Sequence, residues 1–140
     1  MKKIVILLLI FIFIFLLGCP KRSQEEEILI KVIEWINKGI DLDKKGNYIK
    51  AIEYYTNAIN LKPDYINAYN YRGYAYYAIL EYEKAINDFN MAIKIKPDDP
   101  IAYTYRGRVY EKIGDCVNAR LDYKKSCYLG HFIACTYTCP

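Results

Sequence analysis

The sequence predicts an all-α chain built from a repeated two-helix unit. A period of 34 residues runs through about 100 positions. Gly39, Gly73 and Gly107 share it, as do Trp35, Tyr69 and Tyr103; Ala51, Ala85 and Ala119; and Tyr55, Phe89 and Tyr123. Ala58 and Ala92 continue into Ser126, and Pro63 and Pro97 into His131. Around Tyr69–Leu80 and Tyr82–Lys96, bulky residues recur every three or four positions, which is helical spacing. Pro63 and Pro97 then close the second stretch of a unit and force the turn into the next.

The glycine and alanine columns have a mechanical reason. Where two helices cross closely, a residue without a large side chain lets the backbones approach, and bulky neighbours fill the gaps beside it. These columns resemble the tetratricopeptide repeat, a helix–turn–helix motif, over residues 32–65, 66–99 and 100–133. The middle motif fits best, with Tyr69, Gly73, Tyr76, Tyr82, Ala85, Phe89, Ala92 and Pro97 in family columns. The third departs at its end, where Ser126 and His131 replace Ala and Pro. The resemblance implies a right-handed α-solenoid of antiparallel helix pairs, with a concave face lined mainly by the first helix of each pair. Such a stack buries its core only between neighbours, so three units are about the minimum for stability.

Ahead of the repeats lie a charged start, Met1-Lys2-Lys3, and an apolar run of 14 residues, Ile4–Leu17. As a helix that run spans roughly 21 Å, short of the about 30 Å hydrocarbon core, which favours an export signal over a permanent span. Leu16-Leu17-Gly18-Cys19 resembles the lipobox of prokaryotic lipoproteins, although Leu17 is larger than the residue commonest there. The resemblance implies cleavage before Cys19, a diacylglyceryl thioether on its sulfur and acylation of the new amino group. Two or three acyl chains hold a protein on a bilayer durably where one does not. The rival is an uncleaved anchor with an incidental cysteine; either way the body faces an exported compartment. Pro20 stands where many inner-membrane lipoproteins carry Asp, which favours an outer membrane where the cell has one. The expected layout is a signal peptide at 1–18, a polar tether at 19–27, the repeat domain at 28–133 and a short C-terminal cap at 134–140. The expected location is the cell membrane or outer membrane, reached through lipidated Cys19.

Composition excludes some classes of function. Apolar residues make up 54% and charged residues 26%, with 16 tyrosines, so the chain is not a disordered tail. The net charge is +4, and +2 without Lys2 and Lys3, too mild and too evenly mixed for a nucleic-acid partner. The single histidine, His131, sits at a turn column. No phosphate loop, nucleophile elbow or His/Glu metal pattern accompanies it, so no catalysis, cofactor or metal is expected.

Binding is the expectation that remains. By the family resemblance, Tyr69, Tyr76, Tyr103 and Tyr110 pack inside, whereas Tyr74 and Tyr77 face the groove beside Asn67 and Asn70. Amphipathic rings and side-chain amides are what binding surfaces favour. The matching columns hold Ile33, Ile36 and Ile40 in the first motif and Ile101, Thr104, Arg108 and Glu111 in the third. The expected groove is therefore Ile36, Ile40, Asn67, Asn70, Tyr74, Tyr77, Thr104 and Arg108. The isoleucines need covering, by a partner or by Ile28 and Leu29 folding back. One subclass of the family grips a C-terminal carboxylate with Lys, Asn and Arg. The matching positions here, Ile36, Ile40, Tyr71, Ile101 and Tyr105, carry no such group, so that clamp is absent. Arg72 and Arg106 lie 16 residues before Asp88 and Asp122, which reads as ion pairs within a unit rather than a ligand grip.

Cys116, Cys127, Cys135 and Cys139 are an even set in an exported protein, which favours disulfides over zinc. Cys116 and Cys127, about 16 Å apart on one helix, cannot pair, and two connectivities remain. The stretch Ser126-Cys127-Tyr128-Leu129-Gly130 to Ala134-Cys135 resembles the ends of cysteine-rich Sel1-like repeats. That resemblance implies a Cys127–Cys135 staple holding Phe132 and Ile133 against the third motif. Cys116 and Cys139 are the weaker pair, missing register by some 10 Å. Two functions fit: an adaptor holding a peptide or helix of another envelope protein, or a structural protein that self-associates through its exposed isoleucine face.

Overall fold

The computed structural model describes residues 23–137. The signal segment, Cys19 and Cys139 lie outside the described residues. Six helices follow one another: α1 (Gln24–Lys44), α2 (Tyr48–Leu61), α3 (Ile66–Ala78), α4 (Tyr82–Ile95), α5 (Pro100–Lys112) and α6 (Cys116–Tyr128), then a 3-10 helix at Phe132–Thr136. They pack as antiparallel pairs, α1 with α2, α3 with α4 and α5 with α6, each pair stacked on the next. The chain is an all-α solenoid of the expected kind. No helix among the described residues is long and apolar enough to cross a membrane.

α1 begins earlier than expected. Ser23 Oγ accepts from the Glu26 N–H at 3.2 Å, and Glu26 Oε2 accepts from the Ser23 N–H at 3.3 Å. This capping box, with Glu25, Glu26 and Glu27 at the positive helix end, draws residues 24–27 of the expected tether into the first turn. Because α1 is continuous, Ile28 and Leu29 do not fold back; Ile28 packs against the core and Leu29 is exposed.

The turn within each pair is built one way. Gly46, Leu80 and Gly114 occupy a single column with φ of 74°, 65° and 81°. The next residue's N–H reaches back to the last helical turn: Asn47 to Leu42 O, Glu81 to Tyr76 O and Asp115 to Tyr110 O, at 2.8–2.9 Å. That is a Schellman ending, which needs a left-handed residue. Between pairs, the carbonyls of Pro63 and Pro97 accept the hydroxyls of Tyr69 and Tyr103 at 3.1 and 3.2 Å.

The glycine and aromatic columns meet as predicted. A Cβ on Gly73 would lie 2.9 Å from the Phe89 ring, and one on Gly107 2.8 Å from the Tyr123 ring. Arg72 pairs with Asp88 through two bonds of 2.8 and 2.7 Å, and Arg106 with Asp122 likewise. Each arginine also ties its unit to the preceding one, through Thr56 at 3.1 Å and Asn90 at 2.5 Å.

At the C-terminal end a Cys127–Cys135 disulfide is present, with Cα atoms 5.0 Å apart. Cys116 is also disulfide-bonded. Phe132 and Ile133 do not pack on the third motif, being 79% and 62% exposed. In a 3-10 turn, residues three apart share a face. Ala134 and Tyr137 take the inward one: Ala134 is buried and Tyr137 stacks on Tyr123, ring centroids 4.8 Å apart.

Candidate functional site

Along the first helix of each pair, three columns stay accessible: Ile33, Asn67 and Ile101; Asn37, Tyr71 and Tyr105; Ile40, Tyr74 and Arg108. On α3 this places Asn67, Tyr71 and Tyr74 on one stripe, as spacings of three and four residues must. The column of Ile36, Asn70 and Thr104 is instead buried, at 5, 9 and 2% exposure. Ile36 and Thr104 are therefore not groove residues, contrary to expectation. Their column turns toward the junction with the following unit. Thr104 Oγ1 lies 2.6 Å from Ser126 Oγ and 2.8 Å from His131 Nδ1, while Ser126 donates to the Pro100 carbonyl at 2.7 Å. This buried network closes the third motif where the other two use Ala and Pro, and it is His131's structural role.

A cavity of about 530 Å³ opens among α1, α3 and α5. Ile40, Tyr48, Tyr71, Tyr74, Ile101 and Tyr105 form its walls, with Asp43, Asn67, Asn70 and Asp99 as polar groups and Lys44 beside them. The rings brace one another: Tyr74 meets Tyr105 edge-on at 5.5 Å, and Tyr71 stacks on Tyr55 at 5.6 Å. Asn70 Nδ2 donates to Asp99 Oδ2 at 2.7 Å. Asp99 Oδ1 accepts the Ile101 N–H at 3.2 Å and so caps α5. A carboxylate only accepts, so the Asn70 amide orientation is fixed by chemistry. Its Oδ1 is buried with no hydrogen-bond partner among the described residues, and so is Asp43 Oδ1. Asp43 Oδ2 accepts the Tyr55 hydroxyl at 2.7 Å. Burial pushes the Asp43 carboxyl above its ordinary range, against the pull of that bond, and raises the Tyr55 and Tyr74 phenols too.

A second, more open cavity of about 590 Å³ includes Tyr77, Arg108, Glu111 and Tyr137. Two of its charged groups are engaged. The Arg108 guanidinium sits 5.2 Å from the Tyr105 ring and 5.1 Å from the Tyr137 ring, and donates to the Tyr137 hydroxyl. Glu111 accepts the Tyr123 hydroxyl at 2.6 Å.

The expected groove thus divides. Ile40, Asn67, Asn70 and Tyr74 gather at the first cavity; Tyr77 and Arg108 belong to the second. Sequence reasoning missed Asp43, Tyr48 and Asp99. Their sequence signals are the column of Asp43, Tyr77 and Glu111, the place of Tyr48 34 residues before Tyr82, and the Asp99-Pro100 helix start. Of the five positions at which carboxylate-gripping relatives carry their clamp, Ile40, Tyr71, Ile101 and Tyr105 line the first cavity.

No curated protein sequence matches the chain. Among solved structures it is similar to the first TPR of Spaghetti (RPAP3) bound to the HSP90 peptide SRMEEVD. Identity is 26% and the TM-score 0.72, over 75% of this chain and 85% of that one. The second TPR domain of human RPAP3, in complex with the HSP70 peptide SGPTIEEVD, is 28% identical with a TM-score of 0.73, over 78% and 92%. The Arabidopsis OM64 TPR domain shares the fold at 24% identity and a TM-score of 0.71, over 74% and 85%. The TPR repeat family matches residues 41–79 and 81–114, which hold all but Ile40 of the first cavity's lining, and the chain belongs to that family.

Proposed function

We propose that the protein is an exported, lipid-anchored adaptor whose concave face holds a peptide or helix of another envelope protein. The first cavity carries this reading. Tyrosine and isoleucine walls around side-chain amides, set mainly on the first helices of three units, are the composition of a protein-binding surface. The RPAP3 domains it resembles were solved with partner peptides. Anchoring rests on the sequence from Met1 to Cys19, and the role proposed is that of a non-catalytic scaffold.

Photo-cross-linkers at Asn67 and Tyr74, compared with one at exposed Ile49 on α2, test the adaptor in intact membranes. Adducts with one partner from the first two positions only are expected; none from either would sink the reading. Self-association is the second reading, favoured by exposed Leu29, Ile30 and Ile33 on α1. A cross-linked homodimer from the groove positions would support it. Cys19→Ala should leave an unprocessed precursor that takes up no labelled fatty acid, and unchanged labelling would end the lipoprotein proposal.

A further inference from the structure

We infer that the first cavity selects a basic side chain, arginine above all, presented by the partner polypeptide. This deepens the adaptor reading and rests on it.

Two buried acceptors decide the chemistry. Asn70 is nine-tenths buried, lines the cavity, and keeps an Oδ1 with no partner among the described residues. Asp43 lines the same cavity with a buried, unpartnered Oδ1. Buried acceptors left unpaired are costly; the Asn70 amide cannot be turned, because Asp99 holds its Nδ2, and an ionised Asp43 offers only lone pairs at Oδ1 while Oδ2 takes the Tyr55 hydroxyl. An occupant must therefore bring hydrogens, not lone pairs.

Charge points the same way. Asp43 and Asp99 place two carboxylates at the cavity, against one lysine, Lys44, which is exposed and reaches toward Asp41 at 3.8 Å. Arg108 is held between the Tyr105 and Tyr137 rings and is not among the lining residues. An acidic peptide end would meet those carboxylates without an answering cation. The tyrosine walls suit a cation as well, since an aromatic face attracts one and a planar guanidinium stacks on it. A guanidinium offers five N–H donors in a fixed fork and can serve acceptors on two sides, which an ammonium does less readily.

The test is a 1H–15N titration of the full-length chain in a non-ionic detergent. The probes are acetylated, amidated peptides Ala-Ala-X-Ala-Ala with X as Arg, Lys or Glu. The Arg peptide should shift the amides of Asn67, Asn70, Tyr74 and Ile101 saturably, and bind at least tenfold tighter than the Glu peptide. Asp43→Asn should weaken Arg binding several-fold, and Tyr74→Leu should do so independently by removing a ring face. A Lys peptide intermediate between Arg and Glu supports the assignment. A Glu peptide that binds the groove as tightly as Arg overturns this inference and leaves the adaptor reading standing. Silence of the groove amides toward every peptide overturns both. Shifts that grow with protein concentration alone assign the cavity to a second copy and overturn it.

Discussion

Gly39 lies so close under the ring of Tyr55 that a Cβ at that glycine would overlap Tyr55 Cε1. The ring has nowhere to go, being fully buried and fixed at its hydroxyl by Asp43. Tyr123 is anchored in the same way to Glu111, whereas Phe89 has no hydroxyl and only packing holds it.

The three glycines should therefore respond unequally to alanine. Overpacking a filled core costs about 1–3 kcal/mol. Gly39→Ala should fall at or beyond the top of that range, Gly107→Ala within it and Gly73→Ala lowest, because an untethered ring yields more easily. Urea melts of the three variants give the order. A costlier Gly73→Ala would show that the tyrosine hydroxyls are not what makes the rings rigid.

Much of this was legible in advance because a 34-residue period turns sequence offsets into spatial ones. The glycine–aromatic contacts, the Arg72–Asp88 and Arg106–Asp122 pairs and the proline ends all follow from columns. Ile40, Asn67, Asn70 and Tyr74 line the first cavity as their columns imply, but Ile36 and Thr104 are buried, and Tyr71 and Tyr105, one residue on from Asn70 and Thr104, line it as well. One residue is about 100° of rotation on a helix, and near the edge of an apolar stripe periodicity alone does not resolve it. The Asn70–Asp99 bond was hidden for another reason. The matching positions in the first unit are Ile36 and Tyr65, so no column repeats it.

Leu80 is the one described non-glycine residue with positive φ, and its column companions are Gly46 and Gly114. An L-residue pays about 1–2 kcal/mol in left-handed conformation. Leu80 recovers little of that by packing, because it is exposed. Leu80→Gly should raise stability by about 1 kcal/mol, partly offset by the freer unfolded chain, and Leu80→Val should lower it. An unchanged urea midpoint for the glycine variant would mean the turn is not strained there.

The Cys127–Cys135 bond joins residues 8 apart in sequence. Closing so small a loop is worth about 2–3 kcal/mol in the chain-entropy account. Its local effect is more specific: it holds the 3-10 turn that sets Tyr137 against Tyr123 and Arg108. Replacing both cysteines with Ser should lower the melting temperature and loosen the second cavity while leaving amide shifts around Asn67 and Tyr71 in place. Shifts spreading to the first cavity would show that the two ends of the groove are coupled.

Asp43 is where stability and binding should oppose each other. Its carboxyl is raised above the ordinary value of 3.8 because burial disfavours the charge more than the Tyr55 hydroxyl restores it. The folded state then holds this proton more tightly than the unfolded one. That contribution is fully present below about pH 4, where both states are protonated, and is lost as pH rises through the folded value. At neutral pH the ionised group is a liability in the free protein. Asp43→Asn keeps an acceptor for Tyr55 and removes the charge, so it should melt higher than the parent at pH 7, with the difference shrinking as pH falls toward 4. Asp88 is raised by burial too, but it is common to both proteins and cancels in the comparison. Paired melts from pH 4 to 8 measure this directly. A variant less stable than the parent at pH 7 would mean that Asp43 already has its cation in the free protein, and the cavity would then need no basic side chain from outside.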